Sequence, residues 1–119
     1  MVHILIVEDD KAIREVFHMY LCLAHLGIEC DDASTFSDAM AMVSKKKYDL
    51  IFLDLILNGE ISTPLISHAR RVHQDKPPKI CIFSAMFGAQ KIAEIEHTDF
   101  ISKPFVLETI DQFIALNKN

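Results

Sequence analysis

The feature that most constrains this sequence is the run Leu50-Ile51-Phe52-Leu53-Asp54-Leu55-Ile56-Leu57, in which one acid interrupts seven apolar residues. A short apolar run of this kind is typical of a strand buried on both faces of a sheet. A carboxylate within it is costly to bury unless another group pairs with it. We therefore predict that Asp54 lies at the carboxyl end of a strand, and that Asn58-Gly59 forms the turn that follows.

Strands and helices are predicted to alternate on either side of this run. Short apolar or β-branched stretches predict four further strands, at Val2–Val7, Ile28–Ala33, Lys79–Phe83 and Asp99–Ser102. Helical spacing of apolar residues predicts five helices, at Lys11–Leu26, after a cap at Ser37, at Pro64–His73, at Gly88–Glu96 and at Phe105–Asn117. The residues predicted to face inward include Ile13, Val16, Phe17, Tyr20, Leu21, Ala39, Met40, Val43, Leu65, Ile66, Ala69, Val72, Ile92, Ile95, Val106, Ile110, Phe113 and Ile114.

This fivefold alternation predicts an α/β fold with a parallel sheet and helices on both faces. Right-handed crossover connections limit the topology to a doubly wound fold. We predict a flavodoxin-like, five-stranded parallel sheet with strand order 2-1-3-4-5 and five helices. In such folds, ligands bind at the carboxyl ends of the strands.

Composition limits the class of protein. The chain has 119 residues, half of them apolar, which suits one domain over residues 1–119. Its formal net charge of -5 argues against non-specific nucleic-acid binding. No apolar run is long enough to span a membrane and no signal peptide precedes the first strand, so a cytoplasmic protein is expected. Cys22, Cys30 and Cys81 lack metal-ligand spacing and are predicted to be reduced thiols.

Polar residues follow four of the predicted strands. Glu8 and Asp9 come after the first, Asp54 ends the third, Ser84 follows the fourth and Lys103 follows the fifth. Because the carboxyl ends of parallel strands meet at one edge of a sheet, these side chains are expected to face one another. Three neighbouring carboxylates raise one another's pKa, and a bound Mg²⁺ with oxygen ligands would relieve that repulsion.

The same groups suit phosphoryl chemistry. With a metal and Lys103 to neutralise charge, an oxygen of Asp54 can attack phosphorus and form an acyl phosphate. Taken singly, the residues have plainer interpretations: Glu8 and Asp9 as loop acids before a helix, Ser84 as a structural hydroxyl and Lys103 as a solvated lysine. Their coincidence at four strand ends favours the functional interpretation.

Four motifs carry a resemblance to a known family: Ile4-Leu5-Ile6-Val7-Glu8-Asp9-Asp10, Leu50–Asp54, Ile82-Phe83-Ser84-Ala85 and Phe100-Ile101-Ser102-Lys103-Pro104-Phe105. On these motifs the chain resembles the receiver domain of bacterial two-component response regulators, of the stand-alone type, over essentially its whole length. The resemblance is specific because the motifs occur together and in order.

The resemblance assigns roles to individual residues. It implies that Asp54 is the phosphoacceptor, that Ser84 and Lys103 bind the phosphoryl group, and that the Lys103-Pro104 peptide bond is cis. Phe100 matches an aromatic switch position, whose ring is expected to move inward when Ser84 moves.

The resemblance also implies a set of metal ligands. Asp9 and Asp54 would bind Mg²⁺ directly, and Glu8 would bind it mostly through water. The main-chain carbonyl of Ile56 would be another metal ligand.

Two positions depart from the family's common pattern, and two others match positions that affect hydrolysis of the acyl phosphate. Asn58 and Ser62 stand where many relatives have proline and glycine, which predicts a different shape for the loop after Asp54. Ile56 and Met86 occupy positions that tune hydrolysis of the acyl phosphate in relatives. Neither apolar side chain can orient water, so we predict a long-lived phosphoryl group.

The leading hypothesis is therefore a phosphoacceptor that assists its own phosphorylation without being an enzyme in the ordinary sense. Its expected partners are a sensor histidine kinase or a histidine phosphotransfer protein, and a downstream effector protein, with no direct nucleic-acid contact and no membrane insertion. The alternative is a non-phosphorylated protein–protein interaction module of the same fold. A flavodoxin-like enzyme is disfavoured because the loop after the first strand is acidic and phosphate-binding glycine motifs are missing from the sequence.

Overall fold

The computed structural model describes residues 2–24, 27–104 and 107–116, which form one central sheet flanked by helices. In chain order the elements are β1 (Val2–Val7), α1 (Lys11–Ala24), β2 (Ile28–Ala33), α2 (Phe36–Lys45), β3 (Leu50–Asp54), β4 (Ile56–Leu57), β5 (Glu60–Ile61), α3 (Pro64–Val72), β6 (Lys79–Ser84), α4 (Ala89–Glu96), β7 (Asp99–Ser102) and α5 (Leu107–Leu116).

The central sheet has the order β2-β1-β3-β6-β7, and each neighbouring pair is parallel. Since β6 and β7 are the fourth and fifth strands of this sheet along the chain, the predicted order 2-1-3-4-5 is confirmed. The most polar strand, β2, lies at one edge, where only one neighbour covers it.

Two apolar cores lie on opposite faces of the sheet, because successive residues of a strand point to alternate sides. On β1, Leu5 and Val7 join the core that α2, α3 and α4 cover. Ile4 and Ile6 of the same strand join the core that α1 and α5 cover. The predicted placement of helices on both faces is therefore confirmed.

The apolar run that includes Asp54 is not one continuous strand. β3 ends at Asp54, and β4 then pairs antiparallel with β5 in a separate two-stranded ribbon. The connecting residues Asn58 and Gly59 have positive φ angles of 51° and 80°, which a two-residue hairpin of the type I′ class requires. The predicted Asn58-Gly59 turn is confirmed, and it reverses the chain directly behind the acid.

The second helix begins earlier than the sequence suggested. Thr35, rather than Ser37, is its cap: the Thr35 backbone is extended and its Oγ1 accepts the N–H of Asp38 at 3.1 Å. Ser37 lies inside the first turn of α2. The prediction was wrong because a cap must stand outside the helix, close enough for its side chain to reach a free N–H of the first turn.

Three residues predicted to face inward are exposed instead. Val16, Val72 and Ile95 are 57%, 41% and 63% exposed, respectively. On α1, Phe17 and Leu21 already fill the contact with the sheet, and both are buried. The sheet covers only a narrow stripe of each helix, so apolar residues beside that stripe remain at the surface.

The described ranges exclude residues 25, 26, 105, 106 and 117, at the ends of two predicted helices. The predicted inward position of Val106 therefore lies outside the described residues as well. Among the described helices, none is long and apolar enough to cross a membrane.

Candidate functional site

Asp54 lies at the carboxyl end of β3, the middle strand of the sheet. Four apolar residues precede it on the strand, and neighbours on both sides leave the whole residue only 6% exposed. The chain continues into the β4–β5 ribbon, so the carboxylate sits just where the sheet gives way to loops. Its Oδ1 atom accepts the N–H of Ile56 at 3.3 Å.

The end of the adjacent strand β1 brings two further acids to Asp54. Carboxylate oxygens of Glu8, Asp9 and Asp54 all lie within 4.8 Å of one another. Glu8 is fully buried, whereas Asp9 is exposed. Burial, followed by the hydrogen bond with Asp54, raises the pKa of Glu8 to about 7, although Lys103 opposes the change.

Lys103 reaches this cluster from the loop after β7. Its Nζ lies 2.7 Å from Oε1 of Glu8 and 3.3 Å from Oδ2 of Asp54, and its side chain is 17% exposed. Nζ also lies 4.7 Å from the ring centroid of Phe83, so an aromatic face supports the ammonium. Burial would lower the pKa of Lys103, but hydrogen bonds and negative charge from Glu8 and Asp54 outweigh it and that pKa is raised.

The main chain fixes the position of Lys103. Its N–H donates to the carbonyl of Ser84 at 3.0 Å, which joins the ends of β6 and β7. The peptide bond from Lys103 to Pro104 is cis, as the resemblance implied.

Ser84 and Phe100 lie on the neighbouring strands β6 and β7, Ser84 at the end of its strand and Phe100 opposite Ile82. Ser84 is buried, and its Oγ accepts the N–H of Met86 at 3.0 Å. Phe100 is half-buried and packs against the core beneath α2, α3 and α4. The ring therefore has one side against the core and another toward solvent.

Two residues beside the site, Asn58 and Ser62, make polar contacts that were not foreseen from the sequence. The N–H of Asn58 donates to Oδ2 of Asp9 at 2.9 Å, and the Asn58 side chain donates to the carbonyl of Ser34 at 3.2 Å. Burial would raise the pKa of Asp9, but the N–H of Asn58 and the hydrogen bond with Glu8 outweigh it and that pKa is lowered. The Asn-Gly pair predicted a turn, but the hydrogen-bond partner Asp9 lies in the loop after another strand, β1.

The second of these residues, Ser62, contacts the main chain of Asp54. Ser62 is fully buried, and its Oγ donates to the main-chain carbonyl of Asp54 at 2.6 Å. The N–H of Ser62 donates to the carbonyl of Leu55 at 2.8 Å. Ser62 was visible in the sequence, but its hydrogen-bond partner was not.

The donor set fits a hard divalent cation. Glu8, Asp9 and Asp54 offer only oxygen ligands, and one ammonium faces three carboxylates. The cluster therefore retains negative charge after Lys103 has paired, which is the condition that favours Mg²⁺ over an unassisted anion.

Comparison with known proteins places this geometry in a family. The family model of the response regulator receiver domain matches residues 4–115. The sensory transduction protein LytT of Bacillus subtilis is 30% identical over 120 residues, covering 99% of this chain and 48% of LytT. The phosphate regulon transcriptional regulatory protein PhoB of Pseudomonas aeruginosa is 37% identical over 108 residues, covering 86% of this chain and 45% of PhoB. The chain thus spans about half the length of these relatives.

Solved structures have the same fold. A two-component response regulator from Clostridium difficile matches with a TM-score of 0.86 at 26% identity, over 99% of this chain and 96% of that one. The response regulator protein TrrA from Thermotoga maritima, solved in complex with Mg(2+)-BeF, matches with a TM-score of 0.82 at 23% identity, over 98% of this chain and 99% of that one. With the family model matched over residues 4–115, the chain belongs to the response regulator receiver domains of two-component signalling.

Proposed function

We propose that Asp54 accepts a phosphoryl group from a phosphohistidine and thereby switches the domain between two signalling states. The observation that carries this proposal is the meeting of Glu8, Asp9, Asp54 and Lys103 at one edge of the sheet, with Lys103 bonded to two of the acids. A purely structural use of these residues would not need a third carboxylate beside an already paired lysine.

The residues of the site divide the work of phosphoryl transfer. An oxygen of Asp54 attacks phosphorus while the bond to the donor breaks, so the product is an acyl phosphate. The Lys103 ammonium, which is bonded to Asp54 in this structure, then donates a hydrogen bond to an oxygen of the arriving phosphoryl group instead. The Ser84 hydroxyl gives up the N–H of Met86 and donates to a second phosphoryl oxygen.

Glu8, Asp9 and Asp54 would hold Mg²⁺ together with the carbonyl of Ile56. When bound, the ion supplies positive charge that offsets the carboxylates and the charge of the phosphoryl group. TrrA, a relative in fold, was solved with Mg(2+)-BeF, which supports a hard cation in receiver domains of this shape.

Phe100 carries the change away from the site. When Ser84 turns toward the phosphoryl group, it vacates space at the end of β6, which is hydrogen-bonded to β7 in parallel register. The half-buried Phe100 ring then moves inward. Because phenylalanine has no hydroxyl, this switch works by packing alone.

The donor is proposed to be a protein, a histidine kinase or histidine phosphotransfer protein, in the cytoplasm. An apolar groove of about 430 Å³ lies beside the site, and its lining includes Ile13, Val16, Lys103 and Pro104. The exposed side chains of Met19 and Leu23 extend the apolar surface along α1. A protein partner can cover such a patch and reach Asp54 at the same time.

The direct test is phosphorylation with a small donor. Intact protein incubated with Mg²⁺ and acetyl phosphate should gain the mass of one phosphoryl group. Asp54→Asn should abolish the gain, whereas Asp99→Asn, which changes an exposed acid on β7, should not. If neither acetyl phosphate nor a histidine kinase phosphorylates the parent protein, the proposal is wrong and the interaction-module alternative takes its place.

A second test distinguishes docking of a protein donor at the α1 groove from phosphoryl transfer at Asp54. Val16→Ser should slow phosphorylation by a histidine kinase at least several-fold and leave the acetyl phosphate rate unchanged. An equal effect on both donors would contradict docking at the α1 groove, and it would leave the role of Asp54 intact.

A further inference from the structure

Arg14 of α1 bonds to the main chain between two acids of the site. Its Nη1 atom donates to the carbonyl oxygen of Glu8 at 2.9 Å. That carbonyl belongs to the peptide unit that joins Glu8 to Asp9, so the half-buried guanidinium holds the segment from which both carboxylates project. A guanidinium has no acceptor atom and cannot bind a metal itself, so any structural effect of Arg14 on the metal site passes through this peptide unit.

The stability of the helix does not explain an arginine at this position. The amino end of a helix carries partial positive charge, so a cation in the first turn is unfavourable. The first turn of α1 contains no acid, and it contains both Lys11 and Arg14. The bond to Glu8 accounts for the position of Arg14, whereas the helix dipole opposes it.

Other hydrogen bonds constrain the remaining polar groups of Glu8. Its N–H donates to the carbonyl of Ala33 at 3.1 Å, which extends the pairing of β1 with β2. Its carboxylate accepts the N–H of Asp10 on Oε2 at 3.2 Å. The bond from Arg14 constrains the carbonyl of the same residue, so both sides of the Glu8 main chain are held in place.

A metal ion needs the carboxylates of this segment to face it together. Carboxylate oxygens of Glu8, Asp9 and Asp54 lie within 4.8 Å of one another, and their mutual repulsion favours separation when no cation lies between them. A rotation of the peptide unit between Glu8 and Asp9 would turn the two side chains apart. Hydrogen bonds that hold metal ligands in position typically change metal affinity by about 10–100-fold.

We propose that Arg14 is a positioning residue of the metal site, whose bond to the Glu8 carbonyl holds the Glu8 and Asp9 carboxylates in place for Mg²⁺. This inference rests on the proposed function in one respect, namely that the acidic cluster binds Mg²⁺. Loss of the arginine therefore weakens Mg²⁺ binding. An arginine that acted through its charge alone would have the opposite effect, because removing a cation from beside three carboxylates strengthens their attraction for Mg²⁺.

The test measures the Mg²⁺ dissociation constant of the full chain by isothermal titration calorimetry. Arg14→Met removes both the donor and the charge, and it should weaken Mg²⁺ binding about tenfold. Arg14→Lys keeps the charge and a donor without the planar fork of the guanidinium, so it should recover part of that loss. Lys11→Met is the matched control, because Lys11 lies in the same turn and pairs with Glu15 at 3.8 Å in an exposed position. Mg²⁺ binding should not weaken in this control.

A second measurement distinguishes positioning of the acids from a general loss of stability. The rate of phosphorylation by acetyl phosphate in Arg14→Met should be low at limiting Mg²⁺ and should return to the parent rate at saturating Mg²⁺. This return is expected because the bond of Arg14 goes to the main chain of Glu8 and not to Asp54. A purely structural role would lower Tm in chelator and leave the Mg²⁺ dissociation constant unchanged.

An unchanged or smaller Mg²⁺ dissociation constant in Arg14→Met would overturn the inference, and phosphorylation of Asp54 in that variant would leave the proposed function intact. A parent protein that binds no Mg²⁺ would overturn both this inference and the proposed metal site. Should Arg14→Met not fold, Arg14→Lys decides: Mg²⁺ affinity below that of the parent protein supports the inference, and equal affinity contradicts it.

Discussion

The Nζ atom of Lys103 lies 2.7 Å from the Oε1 atom of Glu8, a fully buried acid 95 positions earlier in the chain. This contact joins the loop after β7 to the end of β1 across the middle of the sheet. It holds the ammonium against the acidic cluster.

Lys103→Met should destabilise the protein by about 3 kcal/mol when Mg²⁺ is absent, because it leaves buried carboxylates without their cation. Saturating Mg²⁺ should recover a larger share of stability in the variant than in the parent protein. Urea unfolding with Mg²⁺ or with a chelator measures both quantities. Lys103→Arg keeps the charge and should lose less. Equal stability of Lys103→Met and the parent protein in chelator would contradict the pairing.

Ser62→Ala should lower the free energy of unfolding by about 1 kcal/mol, the typical net value of one buried hydrogen bond. The lost bond is the one from Ser62 Oγ to the carbonyl of Asp54. Ser67→Ala, an exposed serine on α3, is the matched control and should change little. Urea unfolding compares the two variants, and an equal effect of both would mean that the buried hydroxyl contributes nothing particular.

The N–H of Asn58 holds Asp9, so its loss should weaken Mg²⁺ binding. Asn58→Pro removes the donor and disturbs the turn, whereas Asn58→Gly keeps both the donor and the positive φ. The rise in Tm on adding Mg²⁺ should persist in Asn58→Gly and shrink in Asn58→Pro. Gly59→Ala strains the same turn without removing that N–H, so it should lower Tm yet keep the Mg²⁺ response. A full Mg²⁺ response in Asn58→Pro would refute a role for this hydrogen bond.

The acyl phosphate should be long-lived. The side chains of Ile56 and Met86 are both apolar, so neither can orient water toward a phosphoryl group on Asp54. Ile56→Asn should shorten the half-life several-fold, whereas Ile61→Asn, on the paired strand β5, should not. Loss of the phosphorylated mass over time gives the rate. A half-life of seconds in the parent protein with Mg²⁺ would contradict this prediction.

Tyr48 and Lys46 make the stability of the protein depend on pH through Asp31, on the edge strand β2. The Tyr48 hydroxyl donates to Oδ2 of Asp31 at 2.7 Å, and Lys46 Nζ lies 3.0 Å from the same oxygen. Burial would raise the pKa of Asp31, but these two groups outweigh it and that pKa is lowered. The pKa of Asp31 is lower in the folded state than in the unfolded state. The stabilisation is therefore fully present at pH values above the unfolded-state pKa, and it is lost as the pH falls through the folded-state pKa.

Tyr48→Phe should therefore destabilise the protein by about 1 kcal/mol at neutral pH, and the difference should narrow below about pH 4, where Asp31 begins to bind a proton. Thermal unfolding at a series of pH values measures it. A difference that stays constant from neutral to acid pH would show that the hydroxyl acts by packing and not through the Asp31 carboxylate.

The doubly wound fold and the position of the acids could be predicted from the sequence. Apolar runs, helical spacing and right-handed crossovers predict a doubly wound parallel sheet, and strand ends then place Glu8, Asp54 and Lys103 at the same edge. Each of these inferences depends on a local pattern. Local patterns survive into the fold because burial of apolar residues drives it.

The tertiary structure decided what depends on contacts between distant residues. Val16 and Ile95 are apolar at helical spacing, yet they are exposed because the sheet covers a narrower stripe than the pattern suggests. Asn58 bonds to Asp9, in the loop after β1, and Ser62 bonds to Asp54, the last residue of β3. No spacing along the chain encodes hydrogen bonds between segments that meet only after folding. Sequence determined which groups arrive at the site, and packing decided how tightly each one is held.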